Sequence, residues 1–291
     1  GLPSGIPLIL DLASPNRLAR LSDSVRFFSS GHPFCAFVSA RYRPFPALDT
    51  SGGNVTHAAL SLARALGAES CLVVGADFSY PEGKSYARGT YIYDYFDLLS
   101  GRLAPTESQF TGFVWRNASV FKESDRDGEG RSYVRYVTKP LMSYREHFER
   151  FAADCDMEIR PLKGKGVCIK TPAARPRAAG DEAADGRAAR FASRSLFSAG
   201  PARESAASFL KGYAASLAAL PKPREPAAVY LRSLAPGDRD LWTTLLPTAS
   251  AFQRAAGQEG KGPAPLLSEV REWALAEVAE ALSEAGHKRG F

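Results

Sequence analysis

The sequence predicts an α/β fold, a Rossmann-like parallel sheet with flanking helices followed by a helical C-terminal region, from three observations. The turn Ser51-Gly52-Gly53-Asn54 opens an alanine- and leucine-rich run that Gly67 stops. The apolar run Cys71-Leu72-Val73-Val74 comes next and ends in the polar loop Gly75-Ala76-Asp77-Phe78-Ser79-Tyr80. Far downstream, apolar residues return every three or four positions over long stretches. Together these read as a nucleotide-binding half followed by helices.

Each element has a local cause. Gly52 and Gly53 permit a tight turn with positive φ, Asn54 is a good N-cap, and the run through Leu66 is rich in helix formers. Four consecutive apolar residues at 71–74 fit a buried parallel strand, whose neighbours cover both faces. Upstream, 6–12 and 25–29 read as strands and 17–21 as a short helix, and His32 in the loop Gly31-His32-Pro33 either reaches a ligand or is merely solvated, with the solvated reading preferred. Residues 44–49 form a proline-containing loop leading to the glycine turn. Residues 91–96 start an aromatic helix, and 100–111 read as loop. Residues 113–121 and 131–137 read as strands joined by the charged turn 122–130, which suits a surface hairpin. Helix 141–153 carries Tyr144, Phe148 and Phe151 and feeds a strand at 157–162.

Residues 171–203 are rich in Ala, Arg, Pro and Gly and read as a linker. Beyond 204 one stripe is made by Phe209, Leu210, Tyr213, Leu217 and Leu220. Leu266, Leu267, Val270, Trp273, Val278 and Leu282 make another, and both stripes read as core. The expected division is therefore a partial nucleotide-binding and transferase domain over 1–170, the linker, and a helical region over 204–291.

A glycine turn that opens a helix leaves backbone N–H groups and the positive end of the helix dipole free to meet an anion. In open α/β sheets the ligand sits at the carboxyl ends of the strands, so Asp77, Ser79, Tyr80, Lys84 and Tyr86 are expected to border a pocket formed with Gly52, Gly53, Asn54 and Thr56. Phosphate is the natural guest. The glycines equally suit an ordinary βα unit in which they serve only the turns, and Asp77 equally suits a loop cap. His57, in the first helical turn, either contacts a phosphate or caps local structure, with the structural role preferred.

The chain has 291 residues, net charge +6 and an isoelectric point near 9.2, which fits a partner carrying phosphate. Much of the arginine lies in one irregular segment and no RNA- or DNA-binding motif is present, so nucleic acid is not the expected partner. Cys35, Cys71, Cys155 and Cys168 are scattered without a CxxC pair, which points to reduced thiols and a cytoplasmic setting. Nothing resembles a signal peptide or a membrane span, and no metal-ligand set is apparent. The first residue is Gly1, and the chain opens almost directly into a strand. A missing upstream segment, carrying part of the site, is expected.

The stretches Ser51-Gly52-Gly53-Asn54-Val55, Ala65-Leu66-Gly67, and Gly75-Ala76-Asp77-Phe78-Ser79-Tyr80 followed by Gly83-Lys84 resemble the MptE-like family. That group includes the motility-associated factors implicated in flagellin glycosylation. The same stretch is similar to the bacterial CMP-sialic acid transferases with a Rossmann-like fold, where a Ser-Gly turn precedes a helix and a G-x-D-F-Y loop precedes a second tyrosine. Tyr80 and Tyr86 stand in the matching places, allowing a one-residue shift in the loop. The resemblance implies that both tyrosine hydroxyls bind the phosphate of the departing nucleotide and that the turn contacts the nucleotide. It does not extend to that family's catalytic histidine, whose expected place holds Thr138 and Lys139, and His147 lies inside the helix beyond. The glycine-rich N-terminal motif of the MptE-like proteins is also absent.

The resulting expectation is a motility-associated glycosyltransferase that moves a sugar from a nucleotide donor, a CMP-activated nonulosonic acid, onto serine or threonine of flagellin. Tyr80 and Tyr86 would stabilise the leaving phosphate. Gly52, Gly53, Asn54, Thr56, Gly75, Asp77 and Lys84 would hold or shape the nucleotide site. The alternative implied by the MptE-like resemblance is a 6-hydroxymethyl-dihydropterin pyrophosphokinase that uses ATP and magnesium and needs carboxylates at the pocket, where Asp77 is the clear candidate. A further alternative is a non-catalytic flagellar assembly module.

Overall fold

The computed structural model describes residues 6–87, 89–117, 119–127, 129–172, 196–197, 200–223, 227–256 and 263–287. It is a mixed α/β structure with small parallel and antiparallel sheets and a helical C-terminal region. The chain packs as two compact units, one drawn from 1–48 with 196–291 and the other from 49–195. Those bounds differ from the division expected at residue 170. The putting together of the two chain ends rests on apolar contacts distant in sequence, which local patterning does not carry. Most of the linker segment lies outside the described residues.

In the unit formed by the two ends, β1 (Leu8–Asp11) runs parallel to β2 (Val25–Phe28), with Leu8 opposite Val25 and Asp11 opposite Phe28. The connection holds the expected short helix, of the 3-10 form, at Asn16–Leu21. Helix α1 (Pro33–Arg41) comes next, a helix that the sequence analysis did not expect. Pro33 occupies the first turn, where a missing N–H costs nothing, and His32 caps it by accepting from the Phe34 N–H through Nδ1 at 3.3 Å. His32 is thus a structural cap and not a merely solvated loop residue. Asp11 closes the same corner, accepting from the N–H groups of Ala13 and Ser30. Burial, reinforced by Asp11, pushes the fully buried Cys35 thiol up to about 11. This cysteine stays a small hydrophobe at neutral pH.

The rest of this unit comes from α6 (Ala206–Ala219), α7 (Ala227–Ser233), α8 (Pro236–Ala256) and α9 (Pro263–His287). Their common core includes Tyr213, Leu217, Trp242, Leu245, Leu267 and Val270, with Phe34 and Phe37 of α1 packed against it. Both expected stripes do face this core or its margin, except that Trp273 is 40% exposed. Two polar links tie the layer: Trp242 Nε1 donates to the Tyr230 hydroxyl at 3.0 Å, which donates to the Pro221 carbonyl at 2.7 Å.

The second unit begins with α2 (Val55–Ala65) and β3 (Ser70–Val73), which pairs in parallel with β7 (Glu158–Pro161). Between them lie β4 (Tyr80–Pro81), α3 (Tyr91–Leu99), α4 (Thr106–Trp115), β5 (Val120–Arg126), β6 (Ser132–Thr138) and α5 (Lys139–Asp154). β4, β6 and β5 form an antiparallel sheet in that order, with Tyr80 opposite Tyr136 and Glu123 opposite Arg135. Leu60, Val73, Phe78, Phe148, Met157 and Ile159 make the core around the parallel pair.

Two sequence readings are corrected here. Helix α4 occupies the second half of the stretch read as loop, because Phe110 and Val114 lie four apart on one face and bury it, Phe110 against Ile92 and Phe96 of α3. The run at 113–115 ends that helix instead of starting a strand. Strand β5 extends through the charged segment to Arg126, since an edge strand tolerates charge and Arg135 across the ladder neutralises Glu123 and Asp125, each at 2.9 Å.

Trp242 is the largest fully buried side chain and carries a hydrogen bond as well as apolar contact. Trp242→Ala is expected to destabilise the protein by about 3–5 kcal/mol in urea unfolding followed by circular dichroism. A loss below about 1 kcal/mol would show that the helical layer does not depend on this anchor.

Candidate functional site

The site starts from the glycine turn before α2. The Gly53 N–H donates to the Thr50 carbonyl at 3.0 Å. Asn54 Nδ2 donates to the Gly52 carbonyl, and Asn54 Oδ1 accepts from the His57 N–H, both at 2.9 Å. Both polar atoms of the Asn54 side chain therefore hold the turn and cap the helix. Gly52 is buried against the His57 ring so closely that a Cβ would lie 2.4 Å from it. Gly53 has φ +69°, and a Cβ there would lie 3.0 Å from Tyr144 Cε1. Each glycine is needed, one for space and the other for backbone conformation.

His57 is 3% exposed, and its Nε2 lies 3.0 Å from Asp49 Oδ2. The hydrogen bonds from His57 and from Ser51 hold the Asp49 carboxyl down, from the usual 3.8 to about 2. The ring meets Phe151 of α5 edge-on at 4.9 Å. His57 is thus a strut between the turn and α5, in agreement with its structural reading. Thr56 is half-buried in the first turn of α2.

The loop after β3 carries unusual backbone. Gly75, Phe78, Glu82 and Gly83 have φ of 77°, 44°, 55° and 76°. For a bulky residue such as Phe78 this conformation is costly, and it is held because the side chain is buried edge-on against Phe148 at 5.6 Å. The bend delivers Tyr80 to the edge of the antiparallel sheet. Burial, with the neighbouring Tyr86 and Tyr144 phenols, holds the Tyr80 hydroxyl above the usual tyrosine range, so it remains a proton donor at neutral pH. Tyr86 packs on Phe113 at 5.6 Å, and its carbonyl accepts from the Tyr93 hydroxyl at 3.3 Å, so the α3 and α4 pair positions it. The Tyr86 and Tyr144 phenols both act electrostatically on Tyr80, and the ring of Tyr144 lies beside Gly53.

Asp77 lies elsewhere. It lines a cleft of about 160 Å³ beyond the carboxyl ends of β3 and β7, together with Asp125, Tyr133 and the loop 162–169. The Val167 N–H donates to the Asp77 carbonyl at 2.9 Å, and a Cβ on Gly166 would lie 2.4 Å from Asp77 Cα. Arg135 fixes this loop from the sheet side by donating to the Gly166 carbonyl at 2.9 Å. Neither the glycine turn nor either tyrosine lines this cleft. Lys84 is largely exposed, 3.8 Å from Glu82, and Gly75 is exposed at the start of the loop. Among the described residues, no three metal-ligating side chains converge.

Tyr144, Arg135 and the Lys163–Gly166 loop escaped the sequence reading as site elements. Tyr144 reads as one more aromatic of an amphipathic helix, and only the glycine it touches distinguishes it. Arg135 carried a faint signal, a charged residue placed amid the alternating apolar positions of a strand.

Because the native carboxyl of Asp49 is depressed, it stabilises the fold fully above pH 3.8, and that contribution fades as pH falls toward 2. Asp49→Asn is expected to lower the thermal midpoint at pH 7, with the gap to the native protein closing between about pH 4 and pH 2. A gap that stays constant down to pH 2 would show that the charge of Asp49 is not what holds His57.

Among the described residues no helix is long and apolar enough to cross a membrane. No family model matches the chain, and no solved structure matches it significantly. A relative from Treponema pallidum (strain Nichols), described as an uncharacterized protein, is 34% identical over 152 residues, or 51% of this chain and 52% of the relative. A second protein of that organism with the same description is 39% identical over 67 residues, 22% of this chain and 17% of its own length. The chain thus spans about half the length of the first relative it matches and less of the second.

Proposed function

We propose that the chain is a motility-associated glycosyltransferase that binds a nucleotide sugar, a CMP-activated nonulosonic acid, and transfers the sugar to flagellin serine or threonine in the cytoplasm. The parallel β3 and β7 pair would be part of a Rossmann-like sheet. One observation supports the reading: Tyr80 and Tyr86, chosen from sequence by resemblance, are near enough for the Tyr86 phenol to raise the proton affinity of Tyr80, as does Tyr144, whose ring lies beside Gly53.

In such a transfer the acceptor oxygen forms a bond to the anomeric carbon while the bond from that carbon to the phosphate oxygen breaks. The bonding pair and the developing negative charge go to the phosphate of the departing CMP. Phenol O–H groups aimed there stabilise that charge more in the transition state than in the bound donor, without a metal. The raised proton affinity of Tyr80 keeps its donor hydrogen in place. The acceptor proton has no assigned base, since Thr138 and Lys139 occupy the place of the related family's histidine.

Calorimetric titration of the chain with CMP, and separately with ATP plus magnesium, tests the reading. CMP binding that survives a chelator is expected. ATP binding abolished by the chelator would replace it with the pyrophosphokinase, and binding of neither would leave an assembly module. With donor and acceptor supplied, Tyr80→Phe combined with Tyr86→Phe is expected to lower the transfer rate at saturating donor by about 100-fold or more while weakening donor binding far less. Equal losses in both would remove the leaving-group role.

A further inference from the structure

We propose that the unit formed by the two chain ends carries an oxyanion site of its own, in which Arg43 and Arg26 hold a phosphate group borne on a single planar apolar ring. The site is independent of the nucleotide reading of Tyr80 and Tyr86.

The backbone leaves the space for it. Strand β2 pairs with β1 along one edge. Toward the other edge the chain beyond α1 is pinned by the isolated pairing of Ser29 with Ala47, where the Ser29 N–H donates to the Pro46 carbonyl at 2.8 Å. Arg43 is anchored at the end of α1, its N–H donating to the Val38 carbonyl at 3.3 Å. Between these anchors lies a cavity of about 270 Å³ whose lining includes Arg26, Phe27, Arg43, Phe45 and Phe197. Pockets for drug-sized ligands run from roughly 300 to 1,000 Å³, so this smaller one suits one ring with one charged group.

The lining asks for an anion. Two guanidinium groups share the cavity, and among the described residues no carboxylate lines it. Arg43 Nε is buried and has no hydrogen-bond partner among the described residues. A buried donor on a charged group costs free energy when left unpaired, and an acceptor brought in by a ligand recovers that cost. The Arg43 guanidinium lies over the Phe45 ring, 5.6 Å from its centroid, an attraction that uses its face and leaves its nitrogen-bearing edge for hydrogen bonds. After a small turn of the side chain, Nε and one Nη give a phosphate two parallel hydrogen bonds. The exposed Arg26 adds the second positive charge, so the pair matches a phosphate dianion better than a carboxylate. Phe27, Phe45 and Phe197, each half-buried, offer the ring its apolar surface.

The test titrates the chain calorimetrically with phenyl phosphate, inorganic phosphate, benzoate and phenol. Phenyl phosphate is expected to bind more tightly than any of the others by about tenfold or more. Arg43→Lys keeps the charge but loses Nε and the fork, and is expected to weaken phenyl phosphate binding about tenfold or more while holding the thermal midpoint within about two degrees. Arg26→Gln, at an exposed strand position, is expected to weaken it as well, whereas Tyr80→Phe combined with Tyr86→Phe leaves it unchanged. Weakening in the tyrosine variant and not in the arginine variants would move the ligand to the tyrosines and overturn the inference. Absence of phenyl phosphate binding by the native chain would overturn it outright. Inorganic phosphate, benzoate or phenol bound as tightly as phenyl phosphate would overturn the choice of ligand.

Discussion

The second unit depends on the lack of room at Gly52. A buried imidazole lies where any side chain on that residue would go, held there by Asp49 on one edge and Phe151 on another. That contact sets the distance between the start of α2 and the face of α5. Once it is set, Gly53 meets Tyr144, Phe148 meets Phe78, and the loop after β3 takes its left-handed bend. A single steric constraint passes from the turn through a helix to the loop that carries Tyr80. Dense packing makes this possible, because close-packed interiors transmit displacement instead of absorbing it.

Much of this was legible in the residues. The Asn54 cap, the Gly67 stop, a strand within 71–74 and the apolar face of α5 are local signals, and the structure contains each, but Leu72 and Val74 are exposed where a strand covered on both faces was expected, because β3 has only β7 beside it. Helix α4 was not, because Phe113-Val114-Trp115 fits a strand or a helix and only the burial of Phe110 against α3 decides between them. The reach of β5 through Glu123 and Asp125 depends on Arg135, twelve and ten residues away across the ladder. The joining of the N-terminal segment to the C-terminal helices depends on Phe34 and Phe37 meeting a core more than 150 residues later in sequence. Interactions at such separations leave no periodic trace.

The site follows the same division. The glycines and the two tyrosines were named from a local pattern, whereas Tyr144 and Arg135 owe their positions to tertiary packing. Asp77 shows the limit of reasoning from one stretch: it follows β3 as the strand pattern requires, yet faces the loop after β7 and not the glycine turn. Two neighbouring residues of one loop, Asp77 and Phe78, thereby serve different surroundings. The positive φ of Phe78 accompanies that separation.

Position 78 also limits how this protein can change over evolutionary time. Its backbone favours glycine or asparagine, while the core around Phe148 favours a large aromatic ring. No natural side chain satisfies both demands. A replacement that eases the backbone empties the core, and one that keeps the core keeps the strain. Substitutions at 78 and 148, whose rings meet edge-on, are therefore expected to have non-additive effects on stability.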